Sequence, residues 1–148
     1  MNDVKPLLRS TVAFRMGLLG TLLTTQFGDR IAAELDLKPK HAGLLVALDT
    51  HGTASQQELA TMMGVAPSLV VALADHLEEL GAIERVRSGV DRRRMNLTLT
   101  GEGHALLVKC DEIAQSLSED LTAGLTKPER EKLQTLLATL AAHHNIPH

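Results

Sequence analysis

Residues 83–100 read IERVRSGVDRRRMNLTLT, and this stretch decides the fold. Ile83 to Arg87 is short and carries Ile and Val. Met95, Leu97 and Leu99 alternate with Asn96, Thr98 and Thr100, the period of a strand with one buried face. Two such strands around the polar tip Ser88–Arg94 make a hairpin. The hairpin also concentrates positive charge. Arg85, Arg87, Arg92, Arg93 and Arg94 fall within ten residues beside a single acid, Asp91, and make up a third of the 15 Lys and Arg in the chain. Upstream, from His41 to Glu84, there is no Lys or Arg and there are six acidic residues. A loop that charge merely keeps soluble usually mixes its signs. One sign on a thin projection suits a polyanion, and a narrow minor groove attracts arginine most strongly.

Just before the hairpin, Ser55-Gln-Gln-Glu58 is a capping box that opens a short helix running to Met63. Gly64 supplies a turn, and Pro67 opens a second helix to about Leu80. Leu59, Ala60, Met63, Val65, Val70 and Leu73 have the spacing of a helix-turn-helix: small Ala60 lets the helices cross, and Val65, Val70 and Leu73 fill the angle between them. A hairpin directly after the second helix turns that motif into a winged helix, in which the helix enters a major groove and the wing reaches the neighbouring minor groove.

Farther out, Leu8, Val12, Met16, Leu19, Leu23, Phe27, Ile31 and Leu35 recur every three or four positions, one face of a helix of nearly thirty residues. Pro39 opens a helix carrying Leu44, Leu45 and Leu48. After the hairpin, Leu106, Cys110, Ile113, Leu117 and Leu121 line a helix from Gly101. Thr126-Lys-Pro-Glu129 then caps a last one bearing Leu133, Leu136, Leu137 and Leu140. The predicted fold is mainly α, a winged helix-turn-helix with long N- and C-terminal dimerisation helices. Residues 1–148 form a single domain, with the winged core at about 40–100 and dimerisation helices at about 7–35 and 101–144. The terminal stripes are too apolar to stand alone, and two-fold pairing covers them.

Composition narrows the function. The 148 residues are 44% apolar and 22% charged, with a net charge of −3, so a core forms and the chain as a whole is no polycation. Phe14 and Phe27 are the only aromatic rings of the Phe, Tyr and Trp kind, which excludes stacking platforms for single strands. One cysteine, Cys110, excludes an intrachain disulfide, and its place on an apolar stripe suits packing. His143, His144 and His148 cluster near an interrupted helix end, and His41, His51, His76 and His104 are scattered, so no metal or other cofactor is expected. No phosphate loop or nucleophile elbow occurs, so no enzyme and no catalytic residue is expected. Met16–Gly28 is too short to span a bilayer. Lys5, Arg9 and Arg15 before Leu18–Leu23 imitate a signal peptide but lack a cleavage site, so the expected location is the cytoplasm, without membrane contact.

Ser55 to Thr100 resembles the winged-helix core of the MarR family of bacterial transcription regulators. Asp91-Arg-Arg-Arg-Met-Asn-Leu-Thr-Leu-Thr-Gly-Glu-Gly103 matches that family's wing and the "LT-x-x-G" start of its next helix; Glu58-Leu-Ala60, Gly64-Val65 and Leu77-Glu-Glu-Leu-Gly81 match the rest. The resemblance implies a homodimer on double-stranded DNA, a repressor of a pseudo-palindromic promoter site released by a small-molecule effector. It implies that Arg93 is the wing-tip arginine, that Asp91 positions it, and that Pro67, Ser68, Leu69, Val71, Ala72 and His76 face the groove. Ser55, Gln56, Arg87, Arg92 and Arg94 complete the expected DNA-facing set. The second helix departs from the family pattern by carrying no Lys or Arg, so bidentate arginine–guanine readout is unavailable from it, and Leu69, Val71 or Ala72 is left to meet thymine methyls. A second reading stays open: a winged-helix dimer that binds a ligand or protein partner with weak or no sequence-specific DNA binding.

Overall fold

The computed structural model describes residues 7–146, so Lys5 and His148 lie outside the described residues. After a 3-10 turn at Leu7–Ser10 the elements are α1 (Val12–Leu35), α2 (Pro39–His51), β1 (Ala54–Ser55), α3 (Gln56–Met63), α4 (Pro67–Glu79), β2 (Ile83–Arg87), β3 (Met95–Leu99), α5 (Gly101–Leu121) and α6 (Lys127–His143). The described residues divide into two compact units, one ending at Ala114 and the other starting at Gln115, inside α5.

Helix α1 is shorter than its apolar periodicity predicts. Thr11 acts as N-cap, its hydroxyl accepting the Phe14 amide at 3.2 Å, so the turn at Leu7–Ser10 stays outside a helix of 24 residues. Of the predicted stripe only Ile31 is buried; Val12, Met16 and Leu19 are exposed. Asp36, at φ 55°, ends α1 in the left-handed region.

The core of the first unit gathers Leu44, Leu45 and Leu48 of α2, Leu59 and Ala60 of α3, and Val70, Leu73 and Leu77 of α4. The two helices of the predicted helix-turn-helix are bent by 110° across Gly64, within the range of that motif. Gly64 sits at φ 62°, where a side chain would be strained, and the Val65 amide closes the turn on the Ala60 carbonyl at 3.0 Å. Val65, expected inside the angle, is half-buried.

The sheet has three strands in the order β1-β3-β2, all antiparallel. The hairpin was legible from sequence; the two-residue β1, which pairs Ala54 with Leu97 and Ser55 with Asn96, was not. Leu97 therefore sits in the middle strand and is fully buried, whereas Met95 is exposed and Leu99 half-buried. Thr100 joins the wing to α5. Its hydroxyl donates to Gly81 O at 2.6 Å and accepts from the Gly103 amide at 3.1 Å. Gly103 lies so close to β2 that a Cβ there would be 2.0 Å from the Ala82 carbonyl oxygen, which gives the glycine of the "LT-x-x-G" pattern its physical reason.

In α5, Cys110, Ile113 and Leu117 are buried, as the stripe predicted, while Leu121 is exposed. Helix α6 buries none of its residues and leaves Leu136, Leu137 and Leu140 exposed.

Candidate nucleic-acid interface

The wing tip is a turn built by two side chains. Ser88 donates its amide to Arg94 O at 3.0 Å, and its hydroxyl accepts from the Val90 and Asp91 amides at 3.2 and 3.3 Å. The Asp91 carboxylate accepts the Arg93 amide at 3.0 Å, and Asp91 O accepts the Arg94 amide at 3.0 Å. Asp91 thus shapes the backbone beneath Arg93, while its other carboxylate oxygen stands 4.0 Å from Arg94 Nε. Arg87 at the end of β2 and Arg92, Arg93 and Arg94 on the tip are all exposed.

Arg85 is different. Its guanidinium, 24% exposed, reaches across to α4, with Nη2 2.6 Å from Asp75 Oδ1 and Nη1 on Glu78 Oε2. Those hydrogen bonds, the one to Asp75 foremost, raise its pKa further. Arg85 is a brace between wing and helix. The sequence carries a signal for it: Asp75 and Glu78 are three apart, on one helix face, just before an arginine strand.

Helix α4 buries Val70, Leu73, Ala74 and Leu77 on one face. Pro67, Ser68, Val71 and Ala72 of the expected groove-facing set are exposed, and Leu69 is half-buried. His76, expected in that set, is turned instead toward the junction of α1 and α2: its Nε2 lies 2.8 Å from Asp36 O, and its ring centroid 4.7 Å from that of His41. Its polar edge is engaged within the protein.

Ser55, also in the expected DNA-facing set, is 7% exposed; its hydroxyl accepts the Glu58 amide at 3.2 Å, and its own amide donates to Glu58 Oε2 at 2.7 Å. The capping box is thus one use of the side chain that the sequence assigned to DNA. The Ser55 amide foremost, and then the Ser55 hydroxyl, hold the Glu58 carboxyl below its usual range. Gln56, the first residue of α3, is half-buried.

Behind α4 lies a cleft of about 650 Å³ against the end of α1 and the start of α2, lined among others by Leu37, Lys38, His41, Leu69, Ala72 and His76. His41 is buried, and its Nδ1 accepts the Lys38 amide at 2.9 Å. Burial, then the neighbouring His76 and Lys38, push its pKa down, so the ring is neutral as that hydrogen bond requires. Cys110 is buried, and burial, with Asp111 second, pushes its thiol up, away from the reactive thiolate. Among the described residues, no group of three or more His, Cys, Asp or Glu is placed to hold a metal ion, and no single helix is long and apolar enough to cross a membrane.

Comparison with known proteins agrees with this geometry. The model of the MarR family matches residues 35–94. A candidate transcriptional regulatory protein for the hcr operon of Thauera aromatica is 33% identical over 115 residues, which are 78% of this chain and 69% of that protein. Among solved structures, the transcriptional repressor CouR bound to a 23-mer DNA duplex superposes with a TM-score of 0.71 at 30% identity, covering 95% of this chain and 99% of that one. The YusO protein of Bacillus subtilis superposes with a TM-score of 0.77 at 25% identity, again over 95% and 99% of the two chains.

Proposed function

The chain belongs to the MarR family, and from that premise we propose that it is a transcription regulator that binds a promoter as a homodimer and represses it by occupying the site. One observation carries the reading. Three exposed arginines, Arg92 to Arg94, project from a turn fixed by Ser88 and Asp91, beside a helix whose outward side chains are unburied. Arginine on a thin rigid projection fits a narrow minor groove, and the helix next to it fits the major groove. Two copies related by a two-fold axis meet half-sites about one helical turn apart. The exposed apolar faces of α1 and of α6 support such pairing, each being an uncovered row of Leu and other aliphatic groups. In this reading residues 1–148 work as one functional unit in the cytoplasm, where the chromosome is, and without catalysis.

The acidic helix-turn-helix, which favoured a protein or ligand partner over DNA, weighs less once Arg85 is seen to neutralise part of it. Release by an effector is supported by the cleft behind α4. Its wall is mostly apolar with Lys38, Lys40 and the two histidines at hand, which suits a small apolar anion. Such a ligand bears on Leu69, Ala72 and His76 and so on the angle of α4.

The test is selection of fragmented host DNA on the immobilised protein, with the Arg93→Ala variant alongside. An inverted repeat retained by the protein and lost by the folded variant is the expected result. For a retained duplex the log–log salt slope becomes shallower by about 1.8 in the variant, one phosphate's share for each of the dimer's two wings. Retention of no sequence by either protein overturns the reading.

A further inference from the structure

Resting on that DNA reading, we infer that α4 recognises its half-site through the methyl groups of thymine, with Val71 as the principal contact and Pro67 and Ala72 beside it. Residues near the start of a recognition helix are those that reach base edges. In α4 the buried set of Val70, Leu73, Ala74 and Leu77 fixes which side is turned outward, and the opposite side carries Ser68, Val71 and Ala72. Val71 is 38% exposed, a β-branched residue with no packing reason to face water.

The polar groups that ordinarily read bases are absent or already engaged. There is no Lys or Arg between His41 and Glu84. Asp75, the next outward group and an acceptor suited to the cytosine amine, has its Oδ1 held by Arg85 at 2.6 Å. His76 has its Nε2 on Asp36 O. On this face of the first two turns the Ser68 hydroxyl is the one hydrogen-bonding side chain, and a hydroxyl serves any base.

The major groove offers one apolar group, the C5-methyl of thymine. Burying it against Val71 is favourable. Placing a G·C pair there instead strips water from donors and acceptors that Val71 and Ala72 cannot replace, so the face rejects G·C as well as welcoming T. The specificity is therefore for A·T pairs with a defined strand orientation, which the minor groove beneath the wing does not distinguish.

The experiment is fluorescence anisotropy on the duplex recovered by the selection above, made once with thymidine and once with deoxyuridine throughout. The two bases differ by the methyl alone and present the same minor-groove edge, so the wing's contacts are unchanged. Each lost methyl contact weakens binding about fourfold, or about fifteenfold for a dimer on two half-sites. Val71→Ala, at an exposed position, weakens binding to the thymidine duplex and leaves binding to the deoxyuridine duplex as it was. Equal affinity for both duplexes overturns the inference while leaving DNA binding intact. Failure to bind even the thymidine duplex overturns the DNA reading itself, and this inference with it.

Discussion

Arg85→Ala separates a structural arginine from the neighbours proposed to face DNA. In the protein, Arg85 ties Asp75 and Glu78 of α4 to strand β2, with side chains that are 24%, 60% and 44% exposed respectively. At that exposure solvent screens both pairs, and together they contribute about 1 kcal/mol to stability. The variant therefore melts about 2–4 °C lower than the parent. In an Asp75→Asn/Glu78→Gln background the same substitution produces no further fall, because the partners are already gone. DNA binding changes for a second reason. The three groups carry a net charge of −1 together, from two carboxylates and one guanidinium, and −2 without Arg85. A unit charge about 10 Å from a phosphate in water is worth about 0.4 kcal/mol. Two or three phosphates at that range make the loss about 1 kcal/mol, or fivefold at low salt. Anisotropy titrations across salt concentrations read this: affinity falls moderately, and the salt slope keeps its value because no phosphate contact is lost. A slope made shallower by about 1.8 for the dimer, with an unchanged melting temperature, would mean that Arg85 reaches the backbone as Arg93 is proposed to and that the brace carries nothing.

Gly103→Ala drives a Cβ against Ala82 O, and overpacking of this kind costs about 1–3 kcal/mol, with a melting temperature lower by about 3–10 °C. Gly101→Ala, whose Cβ meets nothing within 4 Å, serves as the control and melts like the parent; equal melting of both variants would refute the close approach. His41 has its pKa depressed in the folded chain, so the unfolded chain binds the extra proton first. Stability is then fully present above the ordinary histidine value of about 6.5 and falls as pH drops below it toward the folded value. Thermal melts between pH 7.5 and 5.5 show this fall, and His41→Asn, which keeps an acceptor for the Lys38 amide without a titrating ring, flattens it. An equally steep fall in the variant would place the titration elsewhere.

What was legible in the sequence was local. The Ser55–Glu58 capping box, Pro67 at the head of α4, Gly64 in the turn and the alternation of residues 95–99 each specify backbone within a few residues, and each element formed where it was read. What was illegible depended on the chain returning to itself. Strand β1 is two residues long, and only its partner strand, reached at Leu97 43 positions on from Ala54, makes it a strand. His76 reads as a polar residue on a helix face until Asp36, 40 residues earlier, is found beside it. Ser55 was read as both cap and DNA contact, and the structure shows the first of these, with the residue 7% exposed. Arg85 was hidden by its company: among five arginines in ten residues, the one facing α4 has no distinguishing mark in its own strand.

These reassignments sharpen the division of labour between wing and helix. Within the expected DNA-facing set the arginines are Arg87 and Arg92 to Arg94, all exposed and all on one hairpin. In the proposed reading phosphate attraction and minor-groove fit reside in the wing, and they are nearly blind to sequence. Base discrimination is then left to α4, whose outward side is largely apolar and whose nearest carboxylate is held by a residue of the wing strand. The two halves are therefore coupled through Asp75–Arg85–Glu78: a shift of α4 about that brace changes the angle between the groove-reading helix and the wing. The cleft runs along the flank of the same helix, touching Leu69, His76 and Ala72, the last at the border with the outward side. A ligand seated there bears directly on the base-reading helix, and it reaches the arginines that supply most of the attraction only through the brace. That arrangement predicts an effector that reduces preference for the operator more than it reduces affinity for DNA at large.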